Sequence, residues 1–179
     1  MINLREYRSS DFDELWRIDQ ECFQEGIAYS RRELAWYMNR SRAFTLVAPS
    51  TPGHAHGTAE QAEKKAEGKI LGFVVAESDP SGAGHILTID VRPEGQRTGV
   101  GSLLLQAAER RLVQEKCKAV LLETAVSNTA ALAFYKRHGY SVIETIPRYY
   151  LNSIDALVMG KHLDTIGTAK ARRVKAKKI

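Results

Sequence analysis

The sequence predicts an α/β (α+β) domain in which about six to seven strands form one mixed, mostly antiparallel central sheet flanked by about four helices. Three observations predict it. Short β-rich segments recur along the 179 residues, segments with helical spacing of apolar residues are interleaved with them, and turns bearing glycine or proline separate the two kinds. A hydrophobic content of 44% suffices for one compact core.

Four segments have the start and stop signals of helices. Acidic residues at 11–14 begin the first, where the helix dipole favours negative charge. The capping-box pattern Ser-Arg-Arg-Glu at 30–33 begins the second. A third helix is predicted over about 99–115, and a fourth over 128–138, which ends at Gly139 as a left-handed cap.

Seven other segments have the composition and length of strands, because they alternate weakly or form short apolar runs between turn residues. They cover residues 3–8, 43–48, 69–77, 85–91, 119–126, 140–150 and 155–163. One domain is therefore predicted over 1–163, interrupted at 49–68 by a segment rich in Pro, Gly, His, Ala, Glu and Lys. That segment has almost no apolar content, which predicts a flexible excursion between two paired strands.

The net charge of +5 comes from the C-terminal end of the chain. Residues 164–179 hold six basic side chains and one acidic one, which leaves 20 basic and 20 acidic residues in 1–163. A short basic segment with small residues is typical of a disordered, solvated terminus. An electrostatic tether to RNA or ribosomes is the alternative interpretation, which we do not favour.

Several classes of protein are disfavoured by the composition. Apolar stretches such as 73–76 are far too short to span a membrane, and the N-terminus lacks the pattern of a signal peptide. Cys22 and Cys117 fit neither a disulfide framework nor a metal site, and His54 and His56 have no third ligand nearby in the sequence. We therefore expect a cytoplasmic protein without a metal.

The chemistry begins at the run Gln96-Arg97-Thr98-Gly99-Val100-Gly101, between a predicted strand and helix. Gly99 and Gly101 let a ligand approach the backbone, and the amides at the helix N-terminus favour phosphate oxygens. Arg97 adds a permanent positive charge. A P-loop is excluded because no Gly-Lys-Ser/Thr follows, and Leu104 stands where a dinucleotide-binding loop has its third glycine.

Two motifs resemble the GNAT superfamily of N-acetyltransferases. Ile89-Asp90-Val91-Arg92-Pro93, followed by the run at 96–101, resembles its pyrophosphate motif, and 128–140 resembles its Asn-x-x-Ala-x-x-x-Tyr-x-x-x-Gly-Phe/Tyr helix. The resemblance covers about 3–163 without the excursion, and it implies the GNAT fold and acetyl-CoA as co-substrate. The residues that it implies for the acetyl-CoA site are Ile89, Asp90 and Val91 through their backbone, with Gln96, Arg97, Thr98, Gly99, Val100, Gly101, Ser102, Asn128 and Tyr135.

Within the superfamily, three further segments resemble the bacterial ribosomal-protein-alanine and protein N-terminal acetyltransferases. They are Leu122-Glu123-Thr124-Ala125-Val126-Ser127-Asn128, Arg148-Tyr149-Tyr150 and Asp155-Ala156-Leu157-Val158-Met159. This resemblance implies a protein or peptide N-terminus as the acceptor, ribosomal proteins among the candidates. It leaves open whether the enzyme is a monomer or a homodimer.

The same resemblance assigns roles to individual side chains. It implies that Glu123 is the general base and Tyr135 the general acid. A direct transfer in a ternary complex is favoured over a covalent acetyl-enzyme on Cys117, because Cys117 falls at the predicted turn between a helix and a strand, away from the motif end of the sheet. Tyr29, Tyr149 and Tyr150 are its candidates for substrate binding, although Ala28-Tyr29-Ser30 departs from the group's Pro-Trp-Ser.

Other readings remain open. Glu123 also fits a solvated strand end, and Tyr135 also fits a packing aromatic. The alternative functions are an acetyltransferase for a lysine or a small amine, and a non-catalytic module that binds acetyl-CoA or RNA.

Overall fold

The computed structural model describes residues 2–24, 26–50 and 69–163. The histidines of the predicted excursion and the whole basic segment at 164–179 lie outside the described residues, so the predictions about them remain predictions. The chain divides into two compact units, one comprising 1–76 and 88–107 and the other comprising 77–87 and 108–179.

Seven described strands form the predicted sheet, in the order β1-β2-β3-β4-β5-β7-β6. They are β1 Arg5–Glu6, β2 Ala43–Pro49, β3 Ile70–Ser78, β4 Ala83–Val91, β5 Ala119–Ala125, β6 Ser141–Tyr150 and β7 Ile154–His162. The pairs β1–β2, β5–β7 and β6–β7 are antiparallel, whereas β4 and β5 are parallel and pair over three residues each, beginning at Ala83 and Ala119. The prediction of a mixed, mostly antiparallel sheet is confirmed.

Four described helices accompany the sheet: α1 Phe12–Cys22, α2 Arg31–Met38, α3 Val100–Gln114 and α4 Thr129–Arg137. The capping box predicted for α2 is present, since the Ser30 hydroxyl accepts a hydrogen bond from the Glu33 amide and the Glu33 carboxylate accepts one from the Ser30 amide. Asn128 caps α4 through the Ala131 amide at 3.1 Å. None of the described helices is long and apolar enough to cross a bilayer.

The first unit has a core made by α1, α2 and the strands on which they fold. Leu15 and Ile18 of α1, Leu34 of α2 and Phe73 of β3 are fully buried. Gly72 allows β3 to lie close to β4, because a Cβ there would be 2.4 Å from the Asp90 carbonyl oxygen.

The second unit is organised by β5, β6 and β7 with the end of α3. Glu109 on α3 accepts hydrogen bonds from the Tyr140 hydroxyl at 3.0 Å and from the Lys161 ammonium at 2.7 and 2.8 Å. Gly160 makes room for a neighbouring strand, since a Cβ there would meet Ile143 at 2.4 Å. This arrangement fixes the strands that carry Glu123, Tyr149 and Tyr150.

The structure differs from the predicted boundaries where turns intervene. The first strand is short because a 3-10 turn, Ser9–Asp11, follows it and the Asp11 carboxylate accepts the Arg8 amide. β4 begins two residues earlier than predicted, because the Asp79 amide donates a hydrogen bond to the Ala83 carbonyl at 2.7 Å and extends the hairpin. On α3, Leu104 and Leu105 are fully buried, whereas Leu103 is 38% exposed.

Candidate active site

Arg92 anchors the turn that follows β4. Its guanidinium is buried and lies 3.0 Å from both carboxylate oxygens of Glu21. Its amide donates to the Leu71 carbonyl, and its carbonyl accepts the amides of Gly95 and Gln96. The first residues of the predicted pyrophosphate motif are therefore tied to β3 and α1 within one unit.

The turn itself has the conformation that its glycine predicts. Gly99 has φ +93°, and a Cβ there would meet nothing within 4 Å, so the space beside it is open. Arg97 also has a positive φ of 60°, and its side chain belongs to an exposed stretch. Val100, Gly101 and Ser102 form the first turn of α3, at the positive end of the helix dipole. This open, glycine-bearing helix start fits the pyrophosphate of a CoA molecule.

The predicted backbone site, Ile89–Val91, occupies the last three residues of β4. The Val91 carbonyl is engaged within the chain, because it accepts the Gln96 side-chain amide at 3.0 Å and lies 3.5 Å from the Cys22 sulfur. Gln96 therefore reaches back to the strand, and Thr98 likewise hydrogen-bonds the Gly95 carbonyl at 2.7 Å. Gln96 and Thr98, both predicted to contact acetyl-CoA, thus form hydrogen bonds that stabilise the turn in this structure.

Glu123 lies on β5 beside a partner that the sequence analysis missed. His85 Nε2 on β4 is 2.7 Å from Glu123 Oε2, and their side chains are 34% and 21% exposed. The strand register explains the contact: His85 pairs with Leu121, and Glu123, two residues further along, lies on the same face as Leu121. A half-buried carboxylate next to an imidazole is a pair that can accept and relay a proton.

Tyr135 and Asn128 lie on and before α4, in the same unit as Glu123. Tyr135 is 7% exposed, and its ring lies 5.5 Å from that of Tyr140 and 5.2 Å from that of Phe134. The packing interpretation of Tyr135 therefore holds, and its role as general acid stays a prediction. Asn128 is the N-cap of α4.

Tyr149 and Tyr150 end β6 and have different exposures. Tyr149 is 50% exposed, and its ring lies edge-on to that of Tyr150 at 4.9 Å. Burial, then the neighbouring Tyr149 and Glu123, raise the pKa of Tyr150 above its usual range. Arg148 has a positive φ of 54°, and its amide donates to Asp155 Oδ1 at 2.8 Å. Tyr150 thus lies close enough to Glu123, the partner of His85, for the charge of Glu123 to act on its hydroxyl.

Tyr29, the remaining predicted substrate residue, lies in the linker between α1 and α2. Its ring is half-buried and packs against Tyr37 with 5.0 Å between the centroids. Cys117 is buried in the turn between α3 and β5. Within the described ranges no group of three His, Cys, Asp or Glu side chains is arranged to hold a metal ion.

A family model decides the classification. The model described as the acetyltransferase (GNAT) family matches residues 12–140, which include both motifs and most of the elements described above. The chain belongs to the GNAT family. It is therefore an acetyltransferase, and acetyl-CoA is its co-substrate.

Two relatives and one solved structure describe what this GNAT enzyme is similar to. An uncharacterized N-acetyltransferase of Methanocaldococcus jannaschii is 27% identical over 159 residues, which cover 88% of this chain and 90% of that protein. Human N-alpha-acetyltransferase 30 is 36% identical over 74 residues, which are 41% of this chain and only 20% of that relative. The Escherichia coli ribosomal-protein-S18-alanine N-acetyltransferase superposes with a TM-score of 0.74 at 20% identity, covering 93% and 97% of the two chains, which shows a shared fold.

Gly99→Ala is expected to weaken acetyl-CoA binding by about tenfold. The left-handed conformation costs an L-residue about 1–2 kcal/mol, so the free enzyme adopts a different turn and binding must restore the original one. Calorimetric titration with acetyl-CoA measures this. Gly82→Ala is the matched control, since Gly82 also has a positive φ of 89° but belongs to the turn between β3 and β4. Equal affinities of the Gly99 variant and the wild type would show that the turn does not hold the pyrophosphate.

Proposed function

We propose that this GNAT enzyme transfers the acetyl group of acetyl-CoA to the N-terminal α-amine of a protein. The observation that carries the proposal is the contact between Glu123 and His85, at 2.7 Å. Amine acetylation requires a group that takes a proton from the attacking nitrogen, and this pair can take it. Similarity to an N-alpha-acetyltransferase supports the α-amine as acceptor.

The proposed reaction is a direct transfer within a ternary complex. The neutral amine attacks the thioester carbonyl, a C–N bond forms, the C–S bond breaks, and CoA leaves as a thiolate that takes up a proton. In this proposal Glu123 receives the proton of the amine, directly or through one water, and His85 stabilises the carboxylate and passes the proton on. Tyr135 is the proposed donor to the thiolate.

The acceptor class follows from how easily an amine loses its proton. An α-amino group has a reference pKa of about 7.7–8.0, whereas that of a lysine side chain is about 10.4. Near neutral pH a larger share of α-amines than of lysine side chains is already neutral and able to attack. We infer that Tyr29, Tyr149 and Tyr150 contact the first residues of the acceptor, because each lies on a linker or a strand end and Tyr149 keeps half of its surface exposed.

A peptide panel tests the acceptor class. Peptides that differ in their first residue, one of them the alanine-initiated start of a ribosomal protein, are compared with N-terminally blocked peptides containing lysine and with polyamines. We measure CoA release and locate the acetyl group by mass spectrometry. The proposal predicts acetylation at free α-amines and none on the blocked lysine peptides. A higher kcat/KM for lysine or for polyamines would contradict it.

A further inference from the structure

The linker residue Tyr29 is held by three side chains of α1. Its amide donates to Asp19 Oδ2 at 2.8 Å, and its carbonyl accepts Gln20 Nε2 at 2.8 Å and Trp16 Nε1 at 3.2 Å. Both backbone polar groups of a single linker residue are thus fixed from one helix, while its ring packs on Tyr37. Such an arrangement leaves Tyr29 little freedom in its backbone.

Asp19, the acceptor of the Tyr29 amide, is fully buried, which is unusual for an ionisable side chain on a helix. Its Oδ2 also accepts Gln20, but its Oδ1 is buried without a hydrogen-bond partner. The negative charge of Glu33 further disfavours the ionised form of Asp19. A buried carboxylate with an unsatisfied oxygen requires a compensating donor.

Asp90 on β4 is likewise a buried carboxyl group with one unpartnered oxygen. It is 1% exposed, its Oδ1 accepts the Thr88 hydroxyl at 2.7 Å, and its Oδ2 is buried without a partner. The packing of α1 on β4 places Asp19 near Asp90, because Cys22, one turn after Asp19, lies with its sulfur 3.5 Å from the carbonyl oxygen of Val91, the residue after Asp90. Burial, and then the charge of Asp19, raise the pKa of Asp90, and burial raises the pKa of the Cys22 thiol to about 12. Each of these two carboxyl groups has one oxygen without a partner. A single proton satisfies both oxygens, because a protonated carboxyl group donates a hydrogen bond that an ionised carboxylate accepts.

We propose that Asp19 and Asp90 hold one proton between them, and that Asp19, anchored in this way, is the positioning residue that fixes Tyr29 for the acceptor. Asp90 supplies the O–H group, Asp19 stays ionised at neutral pH, and its second oxygen holds the Tyr29 amide. The inference deepens the proposed function and rests on it for the acceptor role of Tyr29. It assigns to Asp19 an effect on acceptor binding without an effect on acetyl-CoA binding.

Two substitutions of Asp19 test whether its carboxylate oxygen is needed to position Tyr29. Asp19→Asn keeps an oxygen for the Tyr29 amide, whereas Asp19→Ala removes it. We expect Asp19→Ala to raise the KM for the acceptor peptide by about tenfold with kcat within about threefold, and Asp19→Asn to stay near wild type in both. Asp13→Ala, which removes an exposed carboxylate of the same helix that pairs with Arg31, is the control and should change neither. An unchanged acceptor KM in a folded Asp19→Ala protein overturns the proposal.

Two further measurements need no acceptor, so they separate failure of this inference from failure of the proposed function. Hydrogen exchange should show a protected Tyr29 amide in the wild type and in Asp19→Asn, and loss of that protection in Asp19→Ala. Infrared spectroscopy of the wild type at neutral pH should show a protonated carboxylic acid band that disappears in Asp90→Asn. If Asp19→Ala fails to fold, Asp19→Asn and the infrared band still decide. An exposed Tyr29 amide in Asp19→Asn, or a wild-type spectrum without the band, overturns the proposal.

Discussion

Glu123→Gln is expected to lower kcat by about a hundredfold or more while the Kd for acetyl-CoA stays within about twofold, because a positioned general base contributes about 10²–10⁴ in rate. Glutamine keeps the size of the side chain and a hydrogen bond to His85, so the loss reports the missing base rather than a missing contact. Steady-state kinetics with an acceptor peptide, together with calorimetric binding of acetyl-CoA, measure the two effects separately.

Glu144→Gln provides the matched control, since Glu144 is an exposed carboxylate on β6 and its loss should leave kcat unchanged. His85→Asn is expected to fall between the two variants, because it leaves the Glu123 carboxylate in place and removes its proton relay. A Glu123→Gln enzyme with kcat within about threefold of wild type would show that the base lies elsewhere.

Local signals in the sequence predicted the elements that depend on neighbouring residues along the chain. The capping box at Ser30 and the left-handed Gly139 each involve residues within a few positions of one another, and the structure contains both. The glycine turn after β4 was predictable for the same reason, because Gly99 supplies a conformation that few other residues adopt.

The contacts that complete the site depend on tertiary packing, which local patterns do not encode. His85 and Glu123 meet because β4 and β5 pair in one register, and α3 separates the two strands along the chain. A register shifted by one residue would place Glu123 on the other face of the sheet. Similarly, an aspartate on a helix is usually exposed to solvent, and Asp19 is buried only because of the packing around α1.

Asp19→Asn is expected to gain stability relative to wild type as the pH rises from about 4 to about 7. Burial raises the pKa of Asp19 from 3.8 to about 6, with Glu33 adding to the rise and hydrogen bonds from Tyr29 and Gln20 opposing it. The folded protein therefore binds this proton more tightly than the unfolded chain does. Its contribution to stability is fully present below pH 3.8 and is lost as the pH rises to about 6. The full change corresponds to about 3 kcal/mol, of which about 2 kcal/mol falls between pH 4 and pH 7.

Urea unfolding of both proteins across this range measures the change, and the difference between their pH profiles removes any constant effect of the amide on packing. Asp13→Asn is the control, because Arg31 holds the pKa of Asp13 below its usual value, so the contribution of Asp13 to stability grows as the pH rises and its removal gives no relative gain. Parallel profiles for wild type and Asp19→Asn would mean that Asp19 ionises as easily in the folded protein as in the unfolded chain.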